Sequence, residues 1–274
     1  MKIHHLRNAT FVIQSGDLHL LIDPMLGAQG SLPAFARFRH APRRNPTVDL
    51  PASANAVLER VTHCLITHCR TFGVRALQHT DHLDPAGERF LRARHTPVVC
   101  PRKDAAYLRR CGLNVSEALD GGRPRPFLGG DIRAVPARHG HGWIHRLMAN
   151  GAGYLLRLPN EPSIYISGDT VYTPDVDRTL TELKPDIAVV AAGSASLDVG
   201  GPILMPLEEV LAFIRKAPGK VVANHLEALN HCPTQRSDLK RELKARGLDA
   251  KVIVPEDGAA VEFQPQVQPQ GRMP

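Results

Sequence analysis

The chain has 274 residues, which at ~150 residues per domain allows one large domain or two fused halves, and its 43% hydrophobic, 22% charged and 5% aromatic content excludes a disordered or fibrous chain. Lysine and arginine outnumber aspartate and glutamate by 34 to 27, unevenly: residues 1–150 hold 21 basic and 11 acidic residues, the remainder 13 and 16. This asymmetry hints at an anionic partner, but the arginines are scattered and lack interleaved aromatics for base stacking. A small acidic substrate is therefore preferred to nucleic acid.

No apolar run approaches the ~20 residues of a membrane-spanning helix. The start, MKIHHLRNATFVIQSGD, has no apolar signal core, so the expected location is the cytoplasm. Cys64, Cys69, Cys100, Cys111 and Cys232 form an odd set without a C-x-x-C pair and read as buried reduced thiols. A homo-oligomer stays open.

Taken in chain order, Lys2–Leu6, Thr10–Ile13 and Leu18–Ile22 read as a β-meander with a turn at Gly16, ending at Asp23-Pro24. From Ala28 to Ala54 the composition turns to Pro33, Pro42, Pro46 and Pro51 with Arg37, Arg39, Arg43 and Arg44. Irregular segments of that length are functional or disordered. A strand at Cys64–Thr67, a His-rich segment, a helix near Pro85–Arg94, a strand at Val98-Val99 and a helix near Asp104–Cys111 follow.

The second half repeats this grammar. Strands fall near Ile132–Val135, Gly153–Leu158, Ser163–Ile166, Ile187–Val190, Val221–Ala223, Lys251–Val254 and Ala260–Phe263. Helices fall near Asp175–Leu183, Leu207–Lys216 and Thr234–Arg246. Meanders beside helices in two successive halves predict an α/β layered sandwich, two mixed sheets facing each other with helices outside. Residues 1–263 are read as one domain, and 264–274, rich in Gln and Pro, as a loose tail.

The chain holds 14 histidines, and their placement matters more than their number. His68, His79, Asp81 and His82 follow the strand at Cys64–Thr67; His139, Asp169 and His225 each follow a later strand. Side chains from several strand ends can converge on one edge of a sandwich. Imidazole and carboxylate donors suit Zn, Mn or Fe, and five His with two Asp suffice for two divalent ions sharing a carboxylate. Such a pair generates a hydroxide nucleophile at neutral pH.

These segments resemble the metallo-β-lactamase-fold hydrolase superfamily, and most of all its branch of ascorbate-6-phosphate lactonase-like proteins. The likeness rests on NATFVIQSGDLHLLIDP at 8–24, THC and HTDHLD within 67–84, ARHGHG at 137–142, SGDT at 167–170 and NHLEALNHC at 224–232. It implies a four-layer αββα sandwich and two divalent metals, zinc in the first instance. His68, His79 and His139 would serve one ion, Asp81, His82 and His225 the other, and Asp169 would bridge them.

The family signature places one residue between its first two histidines, whereas residues 69–78 separate His68 from His79, and the uninterrupted register puts Leu77 at the first position. Two readings stay open: a ten-residue excursion that leaves His68 in the site, which is preferred, or a weakened first metal site.

The implied activity is a metal-dependent hydrolase acting on an ester, lactone, amide or phosphodiester of an anionic small molecule. Asp81 would orient the nucleophile, and His231, six residues after His225, would contact substrate or donate a proton. A nuclease of the same fold and a catalytically silent metal-binding protein are the alternatives. His4, His5, His19, His40, His63 and His95 read as structural, with His141 and His145 intermediate.

Overall fold

The computed structural model describes residues 1–70 and 79–264. The expected loose tail, apart from its first residue, and most of the 69–78 excursion lie outside the described residues. Strands β1 (Lys2–Arg7), β2 (Thr10–Ser15) and β3 (Leu18–Ile22) form an antiparallel meander; β4 (His63–Leu65), β5 (Val98–Pro101) and β6 (Val115–Leu119) then add to β3 in parallel. The second sheet repeats the order. Strands β7 (Arg125–Phe127), β8 (Gly130–Pro136), β9 (Ala152–Arg157) and β10 (Ile164–Ile166) pair antiparallel, and β11 (Ile187–Ala191), β12 (Lys220–Asn224) and β13 (Val252–Ile253) continue in parallel. The last strand, β14 (Ala260–Glu262), returns to the free edge of β1. Each sheet thus has seven strands, in the orders β14-β1-β2-β3-β4-β5-β6 and β13-β12-β11-β10-β9-β8-β7.

Alternation along the strands produces three apolar layers. Ile3, Phe11, Ile13 and Ile22 meet Tyr154, Leu156, Ile166 and Val189 between the sheets. The opposite face of the first sheet, with Leu21, Cys64 and Val98, is covered by α1 (Ala54–Leu58), α2 (Pro85–Ala93) and α3 (Arg102–Arg110). Leu155, Tyr165, Val190 and Val221 of the second sheet are covered by α4 (Pro174–Arg178), which continues as a π-helical turn over Thr179–Leu183, and by α5 (Leu207–Lys216) and α6 (Arg236–Ala245). This is the α/β sandwich expected, with helices outside both sheets. Three elements were not legible in the sequence. VSEAL (β6) and RPF (β7) are half-exposed edge strands without clean alternation, and five-residue α1 is too short to show a period.

Two polar devices fix the loops that reach the site. Asp84 caps α2 by accepting from Gly87 N–H (2.7 Å), and the same carboxylate accepts from Leu26 N–H (3.1 Å) and Gly27 N–H (2.6 Å). The approach is so close that a Cβ on Gly87 would lie 2.1 Å from the Pro24 carbonyl oxygen. Buried Arg236 bonds Pro255 O (2.8 Å), Asp257 (2.5 Å) and Glu227, tying α6 to the segment before β14 and to the loop after β12.

Two outcomes follow from these contacts. Gly87→Ala should destabilise by about 1–3 kcal/mol through overpacking, although alanine is the better helix former; denaturant unfolding measures it. The Asp257 carboxyl is drawn upward by burial, but His5 and Arg236 outweigh that and hold it below its usual value. Its contribution is therefore fully present above the unfolded value of ~3.9 and is lost as pH falls through the lower folded value. Asp257→Asn should cost about 1.5–3 kcal/mol at pH 7. The difference from the parent chain should vanish in acid unfolding series at the lowest pH.

Candidate metal centre

The site stands where strands of both sheets end. Asp23 follows β3, His68 follows β4, His139 follows β8, Asp169 follows β10 and His225 follows β12, each within three residues of the strand terminus. Register within each sheet brings these ends to one edge. The SGDT turn needs Gly168 at φ +60°, a conformation that favours glycine, and so presents Asp169. Asn8, in the turn between β1 and β2, donates from Nδ2 to the Asp81 carbonyl (3.2 Å), and its own carbonyl accepts the His225 N–H (3.0 Å).

The candidate side chains meet in two groups. Donor atoms of His68, His79 and His139 lie within 4.8 Å of one another, as do those of Asp81, His82, Asp169 and His225. The groups adjoin. The His68 and His82 rings are 4.0 Å apart between centroids, and Asp169 Oδ2 lies 3.1 Å from His82 Nε2, 3.5 Å from His225 Nε2 and 3.6 Å from His139 Nε2. Asp81 Oδ2 is 3.7 Å from both His82 Nε2 and His225 Nε2. His68 thus stays beside His79 despite the intervening residues.

Outer hydrogen bonds set the orientation of each imidazole. Asp23 accepts from Thr67 N–H (2.8 Å) and Thr67 Oγ1–H (2.7 Å), and also from His82 Nδ1–H (2.9 Å). With the Thr67 hydroxyl so committed, His68 Nδ1–H donates to Thr67 Oγ1 (3.1 Å). His139 Nδ1–H donates to the Ile203 carbonyl (2.8 Å), and His225 Nδ1–H to Cys232 Sγ (3.5 Å). Every one of these rings therefore turns Nε2 inward. The Nε2 atoms of His68, His82 and His225, with Asp169 Oδ1, are buried without a hydrogen-bond partner. Buried polar atoms are rarely left so, and converging imidazole and carboxylate donors of this kind fit a divalent cation.

Titration follows the same division. Burial, reinforced by the His82 imidazole, holds His68 well below the usual histidine range; burial together with His139 pushes His79 down to about 3, and burial lowers His139. These three are neutral and offer lone pairs. At His82 burial opposes charge, but Asp169, Asp23 and Asp81 outweigh it and the value rises; Asp169 does the same at His225. Burial also works against ionised Asp81 and Asp169, yet His82 outweighs it at both and the carboxyls sit well below their usual range.

A cavity of about 480 Å³ opens onto the site, lined by His79, Thr80, Asp81, His139 and His231 on its polar side and by Ala34, Phe35, Ile144, Leu147, Met148, Leu197, Val199 and Ile203 elsewhere. No lysine or arginine lines it among the described residues. Burial pushes His231 down to about 4. The long Pro- and Arg-rich segment forms part of this wall through Ala34 and Phe35, while Arg37, Arg39, Arg43 and Arg44 face outward. His5, His19 and His63 lie on strands away from the site, and His141 bonds Glu209 (2.6 Å). Sequence reasoning missed Asp23, Thr67 and Cys232. All three sit inside the motifs it used, LIDP, THC and NHC, and only contact reveals their role.

Comparison with known proteins agrees with this geometry. The Beta-lactamase superfamily domain family matches residues 19–225. The chain is 30% identical over 266 residues to the UPF0173 protein YddR of Bacillus subtilis, covering 96% of this chain and all of that one. It is 25% identical, over 96% of its length and all of the relative's, to the UPF0173 metal-dependent hydrolase MK1542 of Methanopyrus kandleri. Among solved structures, the isothiocyanate hydrolase from Delia radicum gut bacteria superposes with a TM-score of 0.84 at 31% identity, covering 96% of this chain and 99% of that one. A possible metal-dependent hydrolase from Veillonella parvula superposes with a TM-score of 0.85 at 25% identity, with the same coverage. Three of these four relatives are named hydrolases and none a lactonase, so the superfamily is shown but not the ascorbate-6-phosphate lactonase branch. The fold, the family match and the His/Asp cluster agree: the chain is a metal-dependent hydrolase of the metallo-β-lactamase-fold superfamily.

Proposed function

We propose that the chain hydrolyses a neutral, apolar small electrophile of the isothiocyanate class at a two-metal centre. His68, His79 and His139 would hold one ion and Asp81, His82 and His225 the other, with the Asp169 carboxylate within reach of both groups. The observation that carries this reading is the pairing of inward-turned, unpartnered Nε2 atoms with a cavity whose remaining wall is apolar. A buried anion needs a charged or hydrogen-bonding partner. Beyond the metal groups the described lining supplies no lysine or arginine, so an anionic substituent extending into the apolar wall fits this cavity less well than a neutral one. A relative at 31% identity that is named an isothiocyanate hydrolase supports the same class. Five free cysteines fit a cytoplasmic location.

Bound zinc, or manganese or iron by the same donor chemistry, supplies Lewis-acid polarisation and lowers the pKa of water from 15.7 toward ~7. The protein's own part is placement. Asp81, which borders both the cavity and the second group, orients the attacking water through its carboxylate. The water oxygen bonds to the central carbon of N=C=S, the C=N π pair moves to nitrogen, and nitrogen takes one of the water's protons. The second water proton follows to nitrogen as the C–N bond breaks, leaving an amine and carbonyl sulfide. The apolar wall excludes bulk water from the substituent on nitrogen.

Purified protein should release benzylamine from benzyl isothiocyanate, lose this activity on chelation and regain it with zinc. Faster turnover of bis(p-nitrophenyl) phosphate than of the isothiocyanate would transfer the reading to the phosphodiester class. Asp23→Asn keeps an acceptor for the Thr67 N–H but turns an amide N–H toward His82 Nδ1, removing the acceptor that orients His82. It should lower metal affinity by ~10–100-fold, measured by competition with a chromogenic chelator, with little change in melting temperature.

A further inference from the structure

His231 belongs to neither ligand group, and it is buried at 3% exposure. Its ring lines the cavity beside His79, Asp81 and His139, and its Nδ1 is buried with no hydrogen-bond partner. The imidazoles of His68, His82, His139 and His225 each have Nδ1 engaged by the protein. His231 is the reverse case. An unmet buried polar atom costs about 1–3 kcal/mol, so a residue serving packing alone would be better replaced by an apolar one.

The surroundings hold the ring in place nonetheless. Phe35 meets it edge-on at 5.3 Å and 79°, and the His231 carbonyl accepts the Ser196 N–H (3.1 Å). The preceding residue is a clasp. Asn230 N–H donates to Asn45 Oδ1 (2.8 Å), Asn45 Nδ2 returns to Asn230 Oδ1 (3.1 Å), and that oxygen also accepts the Phe35 N–H (2.9 Å). Asn230 Nδ2 donates to the carbonyls of Ala36 (2.7 Å) and Ala41 (3.0 Å). Loops 31–46, 194–202 and 225–232 are thereby locked together around one imidazole whose Nδ1 has no hydrogen-bond partner. Apart from the proposed ligands and Thr80, it is the one polar side chain of the described lining.

We propose that His231 is a catalytic residue whose cavity-lining ring hydrogen-bonds, through its N–H, the substrate heteroatom onto which the electron pair moves as water adds to carbon, with the Asn230–Asn45 clasp positioning it. For an isothiocyanate that atom is the nitrogen; for an ester it is the carbonyl oxygen. No proton leaves His231 in this step: the O–C bond forms, the π pair moves to the heteroatom, and the ring N–H stabilises the charge there. The inference rests on the hydrolytic reading above but not on the isothiocyanate as substrate.

The test uses the metal-loaded full chain. His231→Ala should keep its metal content and melting temperature and lose roughly 10²–10³-fold in kcat/KM, mostly in kcat, with both benzyl isothiocyanate and p-nitrophenyl acetate. Retention of more than a third of parental kcat/KM, or a loss that tracks loss of metal, overturns the proposal. A second readout needs no turnover. The ¹⁵N signal of His231, assigned by its disappearance in His231→Gln, should move on adding millimolar benzylthiourea while those of His5 and His19 stay fixed; an unmoved signal overturns the proposal. If the parent chain leaves the isothiocyanate intact, that substrate reading falls, and His231 is judged by the ester and the ¹⁵N signal.

Discussion

The carboxylate of Asp23 is the contact on which the rest of the site depends. It stands one residue beyond β3 at φ +44°, and with two oxygens it takes up the Thr67 amide, the Thr67 hydroxyl and the His82 imidazole. Thr67 lies just past β4, the parallel neighbour of β3. One buried acid therefore joins two strand ends, fixes the tautomer of His82 directly and that of His68 through the threonine, and so turns a nitrogen of each proposed ion site inward. Such outer partners set ring orientation and ligand basicity as much as the ligands themselves do.

Around that hub the two sheets act as equivalents. Each runs from antiparallel to parallel pairing, so each delivers strand ends to the same edge, and both contribute to the apolar layer between them. The proposed ligands come from β4 and the segment after it, from β8, β10 and β12, elements far apart in sequence. Residues just past strand ends and the turn before α2 carry the donors, and irregular loops carry the rest of the cavity wall, a division that lets a wall change without disturbing the donor set. The loops are themselves fixed. Arg7 reaches from β1 to the carbonyls of Met25 (2.8 Å), Gly27 (2.9 Å) and Val48 (2.9 Å), and Asp198 accepts the backbone amides of Arg37, Phe38 and Arg39. Burial draws the Arg7 guanidinium down to about 10, with Asp84 and Asp257 resisting.

Net charge and the lining of the cavity differ for a physical reason. The basic excess of the first half lies on side chains that keep their charge in water, and Arg37, Arg39, Arg43 and Arg44 remain exposed while the backbone between them is pinned inward. Desolvating a guanidinium without a partner is costly, so a segment can be strongly basic in composition and still present alanine and phenylalanine to the cavity.

The sequence by itself determined the strand grammar, the layered α/β class and the set of histidines and acids near strand ends, because alternation, turn chemistry and donor type are local properties. It also carried Asp23 and Thr67 within its motifs without disclosing their task. Tertiary structure decided the rest. Whether His68 remains beside His79 across residues 69–78 depends on Thr67 and on β4 pairing with β3, not on spacing along the chain. The edge strands β6 and β7 exist because neighbours supply their hydrogen bonds, and the wall of the cavity is apolar because three loops fold their few apolar side chains to the same side. His231 differs from His68, His82, His139 and His225 in that its Nδ1 has no hydrogen-bond partner. That is a property of contacts between residues nearly 200 positions apart, such as Asn45 and Asn230, which no local pattern records.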